Sequence, residues 1–188
     1  MRIIWNLLAL VGLATVLGLG FAAWTFRGFD PGALPTYTKM IQNLAITGNA
    51  AESTVWKRKV AEGLSFEEVD ESIRELANSN NIKDVGALPL GDQVTTMMGK
   101  PWRKLKIYLY CNPLAAAKMV DFSDAYSAYL PCRLALLEDK KGQLWIYTLN
   151  MDMMMHGGTP LPPDLKKEAD NVKRIILDVL DRGAKGDF

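Results

Sequence analysis

The chain has 188 residues, 49% of them hydrophobic, with 22 Lys and Arg against 21 Asp and Glu. Near-zero net charge excludes nucleic acid as an electrostatically obvious partner, and one histidine excludes any multi-histidine metal site. Charge is nonetheless unevenly placed, because residues 3–24 carry none and 17 of those 22 residues are apolar. The remainder has ordinary globular composition, so the chain divides into one candidate membrane segment and one domain, and is neither a polytopic transporter nor a disordered polymer.

The apolar run Ile3–Trp24 is 22 residues long. At about 1.5 Å per residue a helix over it spans roughly 33 Å, enough for a hydrocarbon core of about 30 Å. Trp5 and Trp24 stand near its two ends, where amphipathic rings favour the headgroup level. A cleaved signal peptide is the rival reading. Against it stand a basic start reduced to Arg2, an apolar run too long for a signal, and only a weak cleavage site around Gly20 and Ala22. Ala14, Gly18 and Ala22 recur every four residues, a small-residue stripe that lets a neighbouring helix approach. Gly and Ala are also simply common in membrane helices, so the stripe alone does not decide. The basic residues flanking the run nearly balance, but a two-residue tail before a long C-terminal domain is the layout of a signal anchor. The expectation is a single-pass protein of the bacterial inner membrane with its C-terminal domain in the periplasm.

Residues 1–27 thus read as a transmembrane anchor, 28–52 as a Gly/Pro stalk with a short helix, and 53–188 as the folded domain. Gly28 to Thr36 contains Pro31 and Pro35 and is not expected to continue the helix. An amphipathic turn or two comes next, with Met40, Ile41 and Leu44 as its apolar side, and Thr47–Ser53 reads as linker.

Ser53–Ala61 reads as a strand. Ser65 and Glu68 form a capping box, and Phe66, Val69, Ile73, Leu76 and Ala77 recur at helical spacing. Ile82–Leu90 is extended, and Asp92–Gly99 is a short helix. Arg103–Cys111 alternates, with Leu105, Ile107, Leu109 and Cys111 on one face and Lys104, Lys106, Tyr108 and Tyr110 on the other. A helical stretch through Met119 comes after Asn112-Pro113. Leu130–Glu138 is a strand, and the turn Asp139–Gly142 leads into its hairpin partner Gln143–Leu149. After Pro162 and Pro163 a long helix buries Leu165, Ala169, Val172, Ile176, Val179 and Leu180, and stops at Gly183. The order β-α-β4-α predicts an α+β fold: an antiparallel sheet with two main helices on one face, preceded by one transmembrane helix.

Three stretches resemble the "domain of unknown function 302" family. They are Tyr110-Cys111-Asn112-Pro113 after a strand, Leu130-Pro131-Cys132-Arg133 opening the next, and the acidic hairpin from Glu138 to Ile146 with Trp145 on its second strand. The resemblance covers roughly residues 53–150, at its widest through 183. It implies a TATA-binding-protein-like α+β fold and very little about function. Cys111 stands where the family usually has Gly, and Cys132 where it usually has an aliphatic residue.

Those two cysteines are the first candidate for chemistry. If the strands 103–111 and 130–138 pair antiparallel with Leu109 opposite Leu134, then Cys111 falls opposite Cys132, within reach of a disulfide. A structural bridge, two buried free thiols, and a redox or metal role all remain open. The second candidate is Met151–Gly158, which holds four methionines and the only histidine. Met153, Met155 and His156 offer thioether and imidazole ligands of the kind that suit copper(I). Methionine also fills irregular gaps in cores and interfaces, and packing is the competing reading. Lys100, Arg103, Lys104 and Lys106 around Trp102 form a basic cluster, either an interaction patch or a solvated strand edge. No phosphate loop, nucleophile elbow or zinc motif is present. The expectation is a non-enzymatic accessory subunit without a cofactor, whose partners are the bilayer and other membrane subunits, met through the transmembrane helix and the soluble domain. The alternative is a copper-binding or thiol-redox protein.

Overall fold

The computed structural model describes all 188 residues. Helix α1 (Arg2–Phe26) is continuous, and none of its 25 residues is buried. It is long and apolar enough to cross a membrane. The chain then turns at Asp30-Pro31 and enters α2 (Ala33–Thr47). The expected stalk is therefore shorter than the sequence suggested, and the helix longer. Pro35 lies in the first turn of α2, where a missing N–H breaks no helical bond. Gly48 closes α2 in the left-handed conformation, and Asn49 caps a further turn, α3 (Ala50–Ser53), where a linker was expected.

The domain continues as β1 (Val55–Lys59), α4 (Phe66–Ser79), β2 (Lys83–Leu88), α5 (Leu90–Met98), β3 (Leu105–Cys111), α6 (Pro113–Phe122), β4 (Cys132–Glu138), β5 (Leu144–Leu149), α7 (Asp152–His156) and α8 (Pro163–Gly183). A 3-10 turn, Asp124–Tyr129, joins α6 to β4. The five strands form one sheet in the order β1-β5-β4-β3-β2, antiparallel throughout. This is the α+β fold the element order predicted. The Ser65–Glu68 capping box is complete, with each residue's side chain bonded to the other's backbone N–H. Every apolar position assigned to the long helix is buried in α8, together with Ile175. One cluster holds Val69, Ile73 and Leu76 of α4, Ile176, Val179 and Leu180 of α8, and Leu134, Leu136 and Ile146 of the sheet. Each such side chain is worth about 1.5–3 kcal/mol on burial, and this layer holds the fold.

The register of β3 against β4 corrects the sequence reading. Tyr108 pairs with Leu134 and Tyr110 with Cys132, one residue away from the expected alignment. Because side chains alternate, a slip of one exchanges the faces. Tyr108 and Tyr110 therefore lie under the helices, both 1% exposed, and Leu105, Ile107 and Leu109 lie half-buried on the other face. The physical reason sits on α4. Asp70 accepts the Tyr108 hydroxyl at 2.5 Å and the Lys106 ammonium at 2.8 Å, so the Tyr108 hydroxyl is buried with a partner, the Tyr110 hydroxyl is left without one, and both contribute large ring area. The two rings stack in parallel with centroids 6.4 Å apart. The opposite face, with Ala135, Leu137, Trp145 and Tyr147 beside the leucines, lies outside the buried cluster.

Candidate functional site

Two features meet at the end of the sheet where β3 finishes and β4 begins. The first is a sulfur-lined pocket. Asn112 accepts the Ala115 amide and starts α6 there. The helix brings Met119 down against Cys132, the first residue of β4, and Met151 and Met154 close the space from the turn at α7. The pocket measures about 30 Å³, and Cys111 also lines it. An adjoining pocket of about 170 Å³ shares Cys132, Met151 and Met154 and adds Met153, Thr148 and Tyr129. The Tyr126 hydroxyl donates to the Met154 carbonyl at 3.0 Å and holds that wall in place.

The one-residue register change decides the cysteine pairing. Cys132 is opposed by Tyr110, not by Cys111, and both thiols are free. Cys111 instead pairs across the sheet with Lys83 of β2. The directly opposed pair expected from sequence is thus replaced by thiols one rung apart, both of which line the same pocket. Burial pushes the Cys132 thiol up to about 11 and raises Cys111 as well. Thiols so disposed are protonated at neutral pH and are poor nucleophiles.

The second feature is the joint between α1 and the domain, which sequence reasoning missed. Asp30 is 4% exposed. Its carboxylate accepts the Gly32 amide at 2.7 Å and the Lys166 ammonium at 3.0 Å, and lies 3.0 Å from His156 Nδ1. Lys166, the Gly32 amide and His156 together outweigh burial and hold the Asp30 carboxyl down at about 2. Backbone bonds complete the joint: the Asp30 amide donates to Gly158 at 2.8 Å, and the Tyr37 hydroxyl donates to Gly157 at 2.6 Å. Gly32 is required by close approach, since a Cβ there would sit 2.8 Å from His156 Nδ1. No local pattern marks Asp30, because its partners lie 126 and 136 residues away. The lone histidine was the one signal in the sequence that could have pointed to it.

The Met/His ligand set does not converge. Met155 is buried in the core at 1% exposure, Met153 lines the larger pocket, and His156 faces Asp30. No three His, Cys, Asp or Glu side chains form a metal-ligand group. The basic cluster is also dispersed. Lys104 pairs with Glu67 at 2.7 Å, Lys106 with Asp70, and Arg103 lies over the Trp102 ring. Ala14, Gly18 and Ala22 remain open on α1, and Gly18 has nothing within 4 Å of its Cβ position.

The family model for "Domain of unknown function DUF302" matches residues 56–183. The chain belongs to that family. Among solved structures it is similar to the crystal structure of an uncharacterized conserved DUF302 protein from Bacillus stearothermophilus, with 19% identity and a TM-score of 0.53. That match covers 68% of this chain and 96% of the other. No curated protein matches. The DUF302 fold is therefore shared from β1 through α8, whereas α1, α2 and Asp30 lie outside the matched residues.

Proposed function

We propose that this protein is a single-pass, membrane-anchored accessory subunit, in which α1 packs against helices of a larger membrane complex and the DUF302 domain docks on that complex outside the cytoplasm. The observation that carries the reading is the contrast between α1 and the segment from Asp30 to Tyr37. No residue of α1 is buried by its own chain, yet the segment directly after it is fastened to the domain by the buried Asp30 and by the Asp30 amide and Tyr37 hydroxyl hydrogen bonds to Gly158 and Gly157. A helix with this much bare apolar surface is covered by lipid or by other helices. A fastened joint transmits its orientation to the domain, which a flexible tether would not. The Ala14, Gly18, Ala22 stripe is the side on which a partner helix approaches most closely.

The test places a photo-crosslinking residue at Gly18 or Ala22, on the stripe, and at Val16, near the opposite side of α1. After extraction in mild detergent, the stripe positions are expected to crosslink to one discrete membrane protein that copurifies in stoichiometric amount, and Val16 is not. A monomeric protein with no copurifying membrane partner and no stripe-specific crosslink overturns the reading.

A further inference from the structure

We propose that the pocket between β4, α6 and α7 is a binding site for a soft monovalent cation of the copper(I) class, held by the Cys132 thiolate and the thioethers of Met119, Met151 and Met154. This set is distinct from the Met153, Met155 and His156 grouping, which the fold disperses. Five sulfur-bearing side chains line one small space: Met119 of α6, Cys132 at the start of β4, Met151 and Met154 of the α7 turn, and Cys111 at the end of β3. The chain has eleven sulfur residues, two Cys and nine Met, so nearly half of them meet at one pocket.

The chemistry of the lining selects the ion. No carboxylate or imidazole lines the pocket, so magnesium and calcium, which require oxygen ligands, are not served. Structural zinc takes four nitrogen, oxygen or thiolate donors, and a lining with two cysteines and no imidazole or carboxylate does not supply four. Thiolate and thioether ligands suit copper(I). Size agrees, because a space of about 30 Å³ holds one or two water-sized bodies and excludes a hydrated ion or an organic ligand of ordinary size. Charge agrees too. An isolated charge in an apolar site is costly, and one thiolate neutralises one monovalent cation, leaving the thioethers to complete the shell without adding charge. The thiol proton leaves to solvent as the cation binds. The pocket opens to the surface beside the larger pocket that shares its wall, which gives an ion its path in.

The experiment uses the full-length protein in mild detergent, anaerobic and kept reduced by ascorbate. Copper(I) is titrated in competition with bicinchoninate, and silver(I) serves as a redox-inert second probe. One equivalent per chain is expected, with sulfur-only coordination by X-ray absorption. Cys132→Ser abolishes stoichiometric binding. Met119→Leu and Met154→Leu preserve volume and hydrophobicity and weaken binding by about tenfold or more each. Met155→Leu, in the core, leaves affinity unchanged. Thermal unfolding of each apo variant separates lost ligation from lost folding, and the two Leu variants carry the test should Cys132→Ser not fold. Binding that survives in Cys132→Ser, or is untouched by both Leu variants, or is matched in strength by zinc(II), overturns the proposal.

Discussion

Replacing Asp30 with Asn removes the charge at the joint and keeps a similar shape and an acceptor for the Gly32 amide. The carboxyl is held at about 2 against an ordinary 3.8, a difference worth at most roughly 2–3 kcal/mol. Lys166, its strongest partner, is about a third exposed, and solvent screening at that end reduces the expected loss to about 1–2 kcal/mol. That is a change of roughly 5- to 30-fold in the ratio of docked to undocked joint. The loss is local, because Asp30 contacts the ends of α7 and α8 while the main core lies between α4, α8 and the sheet. Hydrogen exchange at neutral pH therefore accelerates by that factor in peptides covering residues 28–37, where the Asp30 and Ala33 amides bond to Gly158 and Asp30. Peptides covering Val172–Leu180 stay protected. The sign with pH comes from the lowered pKa. The stabilisation is fully present above 3.8 and disappears as pH falls through about 2, so the wild-type joint loosens across that acid window and the Asp30→Asn variant shows no such step. Unchanged exchange at residues 28–37, or equal acceleration in α8, refutes the reasoning.

Two further pairs of substitutions test the register and the buried tyrosines. Leu134→Ala opens a cavity in the fully buried layer and is expected to cost about 2–5 kcal/mol, whereas Leu109→Ala, on the uncovered face, costs about 1 kcal/mol or less; equal losses in denaturant unfolding would restore the alignment expected from sequence. Tyr108→Phe deprives Asp70 of its hydroxyl donor and costs about 1–3 kcal/mol. Tyr110 carries a buried hydroxyl with no hydrogen-bond partner, so Tyr110→Phe is expected to be neutral or stabilising by up to about 1 kcal/mol, and a loss matching that of Tyr108→Phe would contradict the assignment.

The helices and strands were legible because their signals are local. Ser65 and Glu68 are three residues apart, and α8 repeats its apolar side turn after turn along one helix, so no distant residue was needed to read them. The choice of buried face on β3 was not local. Both faces of that strand are amphipathic, one through leucines and one through tyrosine rings, and alternation alone cannot rank them. What ranks them is Asp70, on a helix 38 residues earlier in the chain, which satisfies the Tyr108 hydroxyl and makes the tyrosine side the one that can be buried. The same decision moved Cys111 one rung from Cys132. A single unread hydrogen bond thus carried into the register, and from the register into the disulfide expectation.

The Met-rich turn divides its side chains for a related reason. Ligands on one helical turn converge only at spacings of three or four, since successive side chains fan out by about 100°. Met153 and His156 satisfy that spacing, but His156 is taken by Asp30, and Met155 is turned into the core. Of the four methionines in that turn, Met151, Met153 and Met154 line the paired pockets and Met155 does not. The grouping that does form draws Cys132 from a strand, Met119 from α6, and Met151 and Met154, three residues apart, from the α7 turn, and only that last pair carries a pattern in one dimension. Helix α7 is the element common to both features, with Met154 on the pocket and His156 on the joint. Five residues of helix are enough to serve both because their side chains diverge, and that divergence sets Met155 in the core while His156 faces Asp30.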